Sequence, residues 1–161
     1  MIHLPLQGGV DLIPQGGTHR YGGGMGLWFS DCLDATALSG ISFWVRGDTP
    51  TDTATVTLLM EETEPPTPPT AGSVIGSCPG TSPDECVHPS HVFMVTDTWT
   101  EIRVPWSSFS AGNAAGTSVV VDGHNLFQIQ FDVGLEWVPR DDVYEPVAAP
   151  YELLLDELTF Y

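Results

Sequence analysis

Two stretches of the chain alternate strictly between apolar and polar residues: Leu38–Val45, reading LSGISFWV, and Leu126–Val133, reading LFQIQFDV. In an extended backbone Ile41, Phe43 and Val45 share one face, while Ser42, Trp44 and Arg46 share the other. In the second stretch Phe127, Ile129, Phe131 and Val133 oppose Gln128, Gln130 and Asp132. A period of two with one apolar face is what a half-buried antiparallel strand requires. The second faces carry an indole, a guanidinium, two primary amides and a carboxylate. Side by side in one sheet, these groups would stack on a sugar ring and fork hydrogen bonds to its hydroxyls. Trp44, Arg46, Gln128, Gln130 and Asp132 are therefore the candidate ligand-binding residues, with Trp28, Tyr21, Trp137 and Tyr144 as alternatives on a loop rim.

The rest of the chain reads as further strands. Ile2, Leu4 and Leu6 alternate, with Pro5 tolerable only at a sheet edge. The glycine-dense stretch from Gly8 to Gly26 reads as turns, since no GK[ST] follows that would make it a phosphate-binding loop. Strands are predicted at Met25–Ser30, Thr53–Glu61, His91–Val95, Trp99–Pro105 and Thr117–Val121, with a helical turn over Asp31–Ser39 capped by Asp34. Tyr151–Tyr161 is read as a last strand, although its leucines also admit a helix. Residues 62–88 read as a long surface loop, because four prolines in the ETEPPTPPT run keep it extended and out of any central strand. Residues 135–150 read as a second, acidic loop. The expected fold is a single all-β domain over 1–161, an antiparallel β-sandwich.

Charge narrows the partners. With 21 acids against four arginines and no lysine, the formal charge is −17, which repels nucleic acid and anionic lipid. No apolar run is long enough for a membrane-spanning helix. The chain contains three cysteines. Cys78 and Cys86 bracket a short Gly/Pro/Ser segment with no second ligand pair, so a disulfide is the preferred reading over a metal site. Cys32 is left as a lone thiol, expected to be buried as a small hydrophobe. A disulfide suits an extracellular or cell-surface location, and the strand-like IHLPL directly after Met1 suggests a module excised from a larger protein.

The phrases GMGLWFSDCLDATALSGISFWVRG, the Cys78–Cys86 loop, DTWTEIRVPWSSF, NLFQIQFDV and ELLLDELTF, taken in that order, resemble the galactose-binding-like jelly rolls of extracellular bacterial carbohydrate-binding modules. The resemblance runs from about Gly22 to the end. It implies a jelly-roll sandwich that binds a polysaccharide or glycoconjugate without catalysis, and a structural calcium at one edge. Asp156 matches the acidic position of the closing strand that often ligates that calcium, with Asp11 the nearest candidate partner; Asp141 and Asp142 are an alternative. Trp99 matches a packing tryptophan rather than a ligand-binding one.

Other functions are weighed on the same residues. Glycoside hydrolysis requires two carboxylates held about 5–10 Å apart in a cleft. Most acids here sit in Pro-rich loops, with Asp132 and Glu61 the strand-borne exceptions, and the GxSxG phrase of a nucleophile elbow is absent. His88 and His91, three apart after Cys86, offer a zinc alternative. A carbohydrate-binding module, with self-association or an appended catalytic domain as its further partners, is the leading expectation. A self-assembling surface or filament protein is the second, and a small glycoside hydrolase or lyase domain the third.

Overall fold

The computed structural model describes residues 6–8, 23–66, 76–80, 85–134, 137–140, 143–146 and 151–161. In chain order the strands are β1 (Leu6–Gly8), β2 (Gly23–Leu33), β3 (Gly40–Asp48), β4 (Thr53–Met60), β5 (Cys86–Val87), β6 (Ser90–Met94), β7 (Thr100–Pro105), β8 (Gly112–Ala114), β9 (Thr117–Val119), β10 (Leu126–Val133), β11 (Trp137–Arg140), β12 (Val143–Pro146) and β13 (Tyr151–Phe160). Single 3-10 turns occupy Glu61–Thr63 and Trp106–Ser108. Two four-stranded sheets, ordered β1-β13-β3-β7 and β2-β10-β4-β6, carry the fold, and every strand pairing is antiparallel. The jelly-roll β-sandwich expected from the sequence is the observed architecture.

The core lies between the sheets. Ile41, Phe43 and Val45 of β3 face Ile129, Phe131 and Val133 of β10, with Val56, Leu58, Val104, Leu153 and Leu155 filling in around them. Phe43 meets Phe131 edge-on at 5.0 Å and Phe93 at 5.1 Å, the tilted geometry that the ring quadrupole favours.

That packing corrects the central expectation from the sequence. The strands β3 and β10 do not share a sheet: β3 lies between β13 and β7, and β10 between β2 and β4. Alternation says which side chains share a face of one strand. It does not say which sheet the strand joins, and two central strands of facing sheets carry the same pattern.

Local departures have local causes. The chain over 31–39 is not helical; β2 runs to Leu33, and Asp34 then holds a turn by accepting from the Thr36 amide (3.0 Å) and hydroxyl (2.7 Å). The 135–150 segment is not wholly loop, because β11 and β12 pair as a hairpin with Trp137 opposite Pro146. Cys32 is exposed on β2 rather than buried, its thiol pKa pushed up by partial burial and by the nearby carboxylates of Glu61, Glu62 and Asp31.

Phe131→Ala should remove the ring on which both Phe43 and Phe93 pack, at a cost of about 3–5 kcal/mol by denaturant unfolding. A loss below about 1 kcal/mol would show that the sheets are not held together at this point.

Candidate functional site

Gln128, Gln130 and Asp132 point outward from β10 and form a continuous ladder. Gln128 Nε2 donates to Gln130 Oε1 at 3.3 Å, and Gln130 Nε2 donates to both Asp132 oxygens at 2.9 and 3.0 Å. Positions two apart on a strand lie on one face, which is why three consecutive outward side chains can link. Gln128 is only 4% exposed, and its Oε1 has no hydrogen-bond partner among the described residues. A buried acceptor left unpaired costs about 1–3 kcal/mol. Burial pushes the Asp132 carboxyl up from its ordinary pKa, against the smaller lowering effect of Gln130.

Strands β2 and β4 set the ladder in a trough. On one side Trp28, Gly26 and Gly24 stand opposite Gln128, Gln130 and Asp132. The glycines leave room: a Cβ on Gly26 would fall on the Gln128 amide, and one on Gly24 on the Asp132 carboxylate. Trp28, 64% exposed, leans on Phe127 with ring centroids 5.7 Å apart. On the other side Thr57 and Thr55 of β4 stand opposite Gln130 and Asp132, followed by Ser90 and Val92 of β6.

A cleft of about 960 Å³ opens over Thr55, Thr57 and Ser90, walled by Pro65, Pro66, Cys78, Pro79, Gly80, Cys86, Val87 and His88. The predicted Cys78–Cys86 disulfide is formed, and it lies in this wall. Further bonds hold the wall together. The Ser77 amide donates to Glu61 O (2.7 Å) and the Cys78 amide to Glu64 O (3.0 Å). Gly76 takes φ +96°, and a Cβ there would strike the carbonyls of Glu64 and Pro65. His88 bridges Thr63 Oγ1 (2.9 Å, through Nδ1) and Glu64 Oε2 (3.3 Å, through Nε2). Burial lowers the His88 pKa, and Glu64 opposes that without reversing it. The Thr63–His88–Glu64 series has the residue order of a nucleophilic triad, but Thr63 is 0% exposed, so no substrate reaches it.

The remaining predicted residues lie elsewhere. Trp44 and Arg46 face out from the opposite sheet, so they cannot share a ligand with Gln128, Gln130 and Asp132 on the far side of the core. Trp44 is 37% exposed between Glu101 of β7 and Asp156 of β13, and the Arg46 guanidinium lies 5.4 Å from the centre of the Trp99 ring. Asp156 Oδ1 accepts from the Glu157 amide at 2.9 Å, where the strand bulges with Glu157 at φ +49°. Asp11, Tyr21, Asp141 and Asp142 lie outside the described residues. Among the described residues no group of three or more His, Cys, Asp or Glu side chains is placed to hold a metal ion. His91 Nδ1 instead bonds Ser108 O at 2.9 Å. Sequence reasoning missed the two bare glycines, the threonine row and the disulfide wall; the Gly-x-Gly-x-Trp spacing from Gly24 to Trp28 was the signal for the first.

No family model matches the chain, and no curated protein matches it. Among solved structures it is similar to the family 11 carbohydrate-binding module of the cellulosomal cellulase Lic26A-Cel5E of Clostridium thermocellum, with 13% identity and a TM-score of 0.53 over 98% of this chain and 81% of that one. A structure of a family 11 module from Clostridium thermocellum in complex with a β-1,3-1,4-mixed-linked tetrasaccharide aligns at 13% identity and a TM-score of 0.49, over 98% and 82%. At such identity the first likeness is one of fold.

The ladder makes a pH prediction. A carboxyl whose folded pKa is raised contributes stability that is fully present below its unfolded pKa and lost as pH rises through the folded one. Asp132→Asn keeps an acceptor for Gln130 and removes the buried charge. It should be at least as stable as the parent at neutral pH, with the difference vanishing in acid, as urea unfolding across pH will show; a variant less stable at neutral pH contradicts this account.

Proposed function

We propose that this chain is a non-catalytic, extracellular carbohydrate-binding module that takes a neutral polysaccharide chain in the trough of the second sheet. The observation that carries the proposal is the Gln128–Gln130–Asp132 ladder, whose half-buried members Gln130 and Asp132 share a sheet face with the exposed Trp28. Amides and a carboxylate accept and donate to hydroxyls in fixed directions, while an indole face takes the C–H face of a pyranose. The bare glycines give the Gln128 amide and the Asp132 carboxylate room to lie across β2, which fixes their directions.

Several features support the reading. The chain shares its fold with a carbohydrate-binding module. A charge of −17 favours uncharged glycans over polyuronates. Among the described residues the trough's floor presents one carboxylate, Asp132, where hydrolysis of a glycosidic bond needs a pair. A disulfide and a lysine-free, acidic composition suit a secreted module, and such a module would bring an appended catalytic domain to its substrate. A few hydrogen bonds of about 0.5–3 kcal/mol each with one stacked ring give micromolar to millimolar affinity.

Affinity electrophoresis against soluble glucans, xylans, mannans and galactans tests this. At least one should retard the protein. Trp28→Ala and Gln130→Ala should weaken that retardation about tenfold or more, whereas Trp44→Ala, on the other side of the core, should stay within about twofold. Loss of binding in Trp44→Ala with retention in Trp28→Ala would move the site to the opposite sheet.

A further inference from the structure

The wall of the cleft is gripped by two histidines from opposite sides. From the cleft side His88 holds Thr63 and Glu64. From the far side His124, in the turn that leads into β10, donates through Nε2 to Glu62 Oε1 at 3.0 Å, while its Nδ1 bonds Asp122 Oδ1. Asn125 Nδ2 donates to the same Glu62 oxygen at 3.0 Å, and Glu62 Oε2 is buried with no partner among the described residues. The 3-10 turn Glu61–Thr63 is thus tied to the strand that forms the trough's floor. Through the Ser77 and Cys78 amides it is also tied to the disulfide segment.

We propose that His124 and His88 act as a two-sided clasp on residues 61–66, holding the cleft wall closed only within a window of pH, so that glycan capture weakens on both the acid and the alkaline side. The proposal rests on the reading of the trough, whose Thr55–Thr57 flank opens into the cleft, as the glycan site.

The chemistry differs at the two ends. A histidine with a carboxylate on each nitrogen donates from both only as imidazolium. Burial acts against the His124 charge, but Asp122 and Glu62 outweigh it, so its pKa is raised. Its grip is fully present below the ordinary imidazole range and is lost as pH rises through the folded value. Asp34, in the turn after β2, also feels this charge, and Glu61, Asp31 and Cys32 sit beside the Glu62 end. His88 works as the neutral ring, with Nε2–H donating to Glu64 and Nδ1 accepting from Thr63; Glu64 is the charged group that faces it. Its pKa is lowered, so its contribution is present above the ordinary imidazole range and is lost as acid protonates it. The two flanks have opposite slopes and meet near the unperturbed imidazole value.

The test measures association with the best-retarding polysaccharide from about pH 5 to about pH 9, together with histidine ring titration and protection of the Ser77 and Cys78 amides by NMR in the free protein. The parent should bind most tightly near the middle and lose about threefold or more on each side. His124→Gln should lack the alkaline flank and His88→Gln the acid flank. Asp122→Asn, an exposed change that leaves Glu62 as the sole carboxylate on His124, should move the alkaline flank to lower pH. A parent profile that stays flat, or variants that keep both flanks, overturns the clasp. If no polysaccharide binds at any pH, the glycan reading fails by itself. The amide protection then decides the clasp: loss on both sides upholds it as a device of the wall, and constant protection removes it.

Discussion

The edge-on contact of Phe43 with Phe131 fixes everything outside it. The contact joins the central strand of one sheet to the central strand of the other, with Phe93 completing the aromatic cluster. Sheets packed face to face stand about 10 Å apart, and side chains alternate along each strand. Once these rings point inward, Trp44 and Arg46 must leave the molecule on one side, and Gln128, Gln130 and Asp132 on the other. The two sets of groups are separated by the core that their own strands build.

One sheet face is open and the other filled for reasons that lie in small residues. On the first sheet the outward positions of β3, β7 and β13 include Trp44, Arg46, Glu101, Arg103 and Asp156, with Arg46 stacked on Trp99 and Arg103 on Tyr161. On the second sheet Gly24 and Gly26 leave the space beside β10 to side chains from β10 itself, and threonines line the other flank. The wall over that face comes from a Pro-rich segment that lacks the donors to join a ladder. It is held instead by a disulfide, two backbone bonds, a tight glycine and two histidines. Cross-links of this kind do for an irregular wall what pairing does for a strand.

Much of the fold was legible in the sequence, and the limit of that legibility has a physical cause. Period-two patterning identified the inward set Ile41, Phe43, Val45 and the inward set Ile129, Phe131, Val133, and the Cys78–Cys86 staple followed from spacing and composition. Sheet membership did not follow, because it depends on hydrogen bonding between segments far apart in the chain, and either partner would satisfy the same alternation. Gly24 and Gly26 read as turn residues because glycine is permissive; in β2 they are required for the absence of a side chain. Asp34 does cap a turn, but a single side chain bonded to Thr36 cannot extend that turn into a helix. The hairpin β11–β12 was hidden by prolines at Pro139 and Pro146, which an isolated two-stranded ribbon tolerates and a central strand does not.

The polarity of the trough can be derived from its one ionised group. A carboxylate only accepts, so Asp132 requires the amide nitrogen of Gln130 to face it, and the observed bonds to both carboxylate oxygens meet that requirement. The Gln130 oxygen is then turned toward Gln128, whose nitrogen must answer it. This leaves the Gln128 oxygen as the end of the ladder, buried and without a donor among the described residues, at the level of Trp28. The charge at one end of β10 thereby sets the hydrogen-bond demand at the other. That oxygen is enclosed by the protein, so the members of the ladder that reach solvent are the half-buried Gln130 and Asp132, with the indole of Trp28 on the same face.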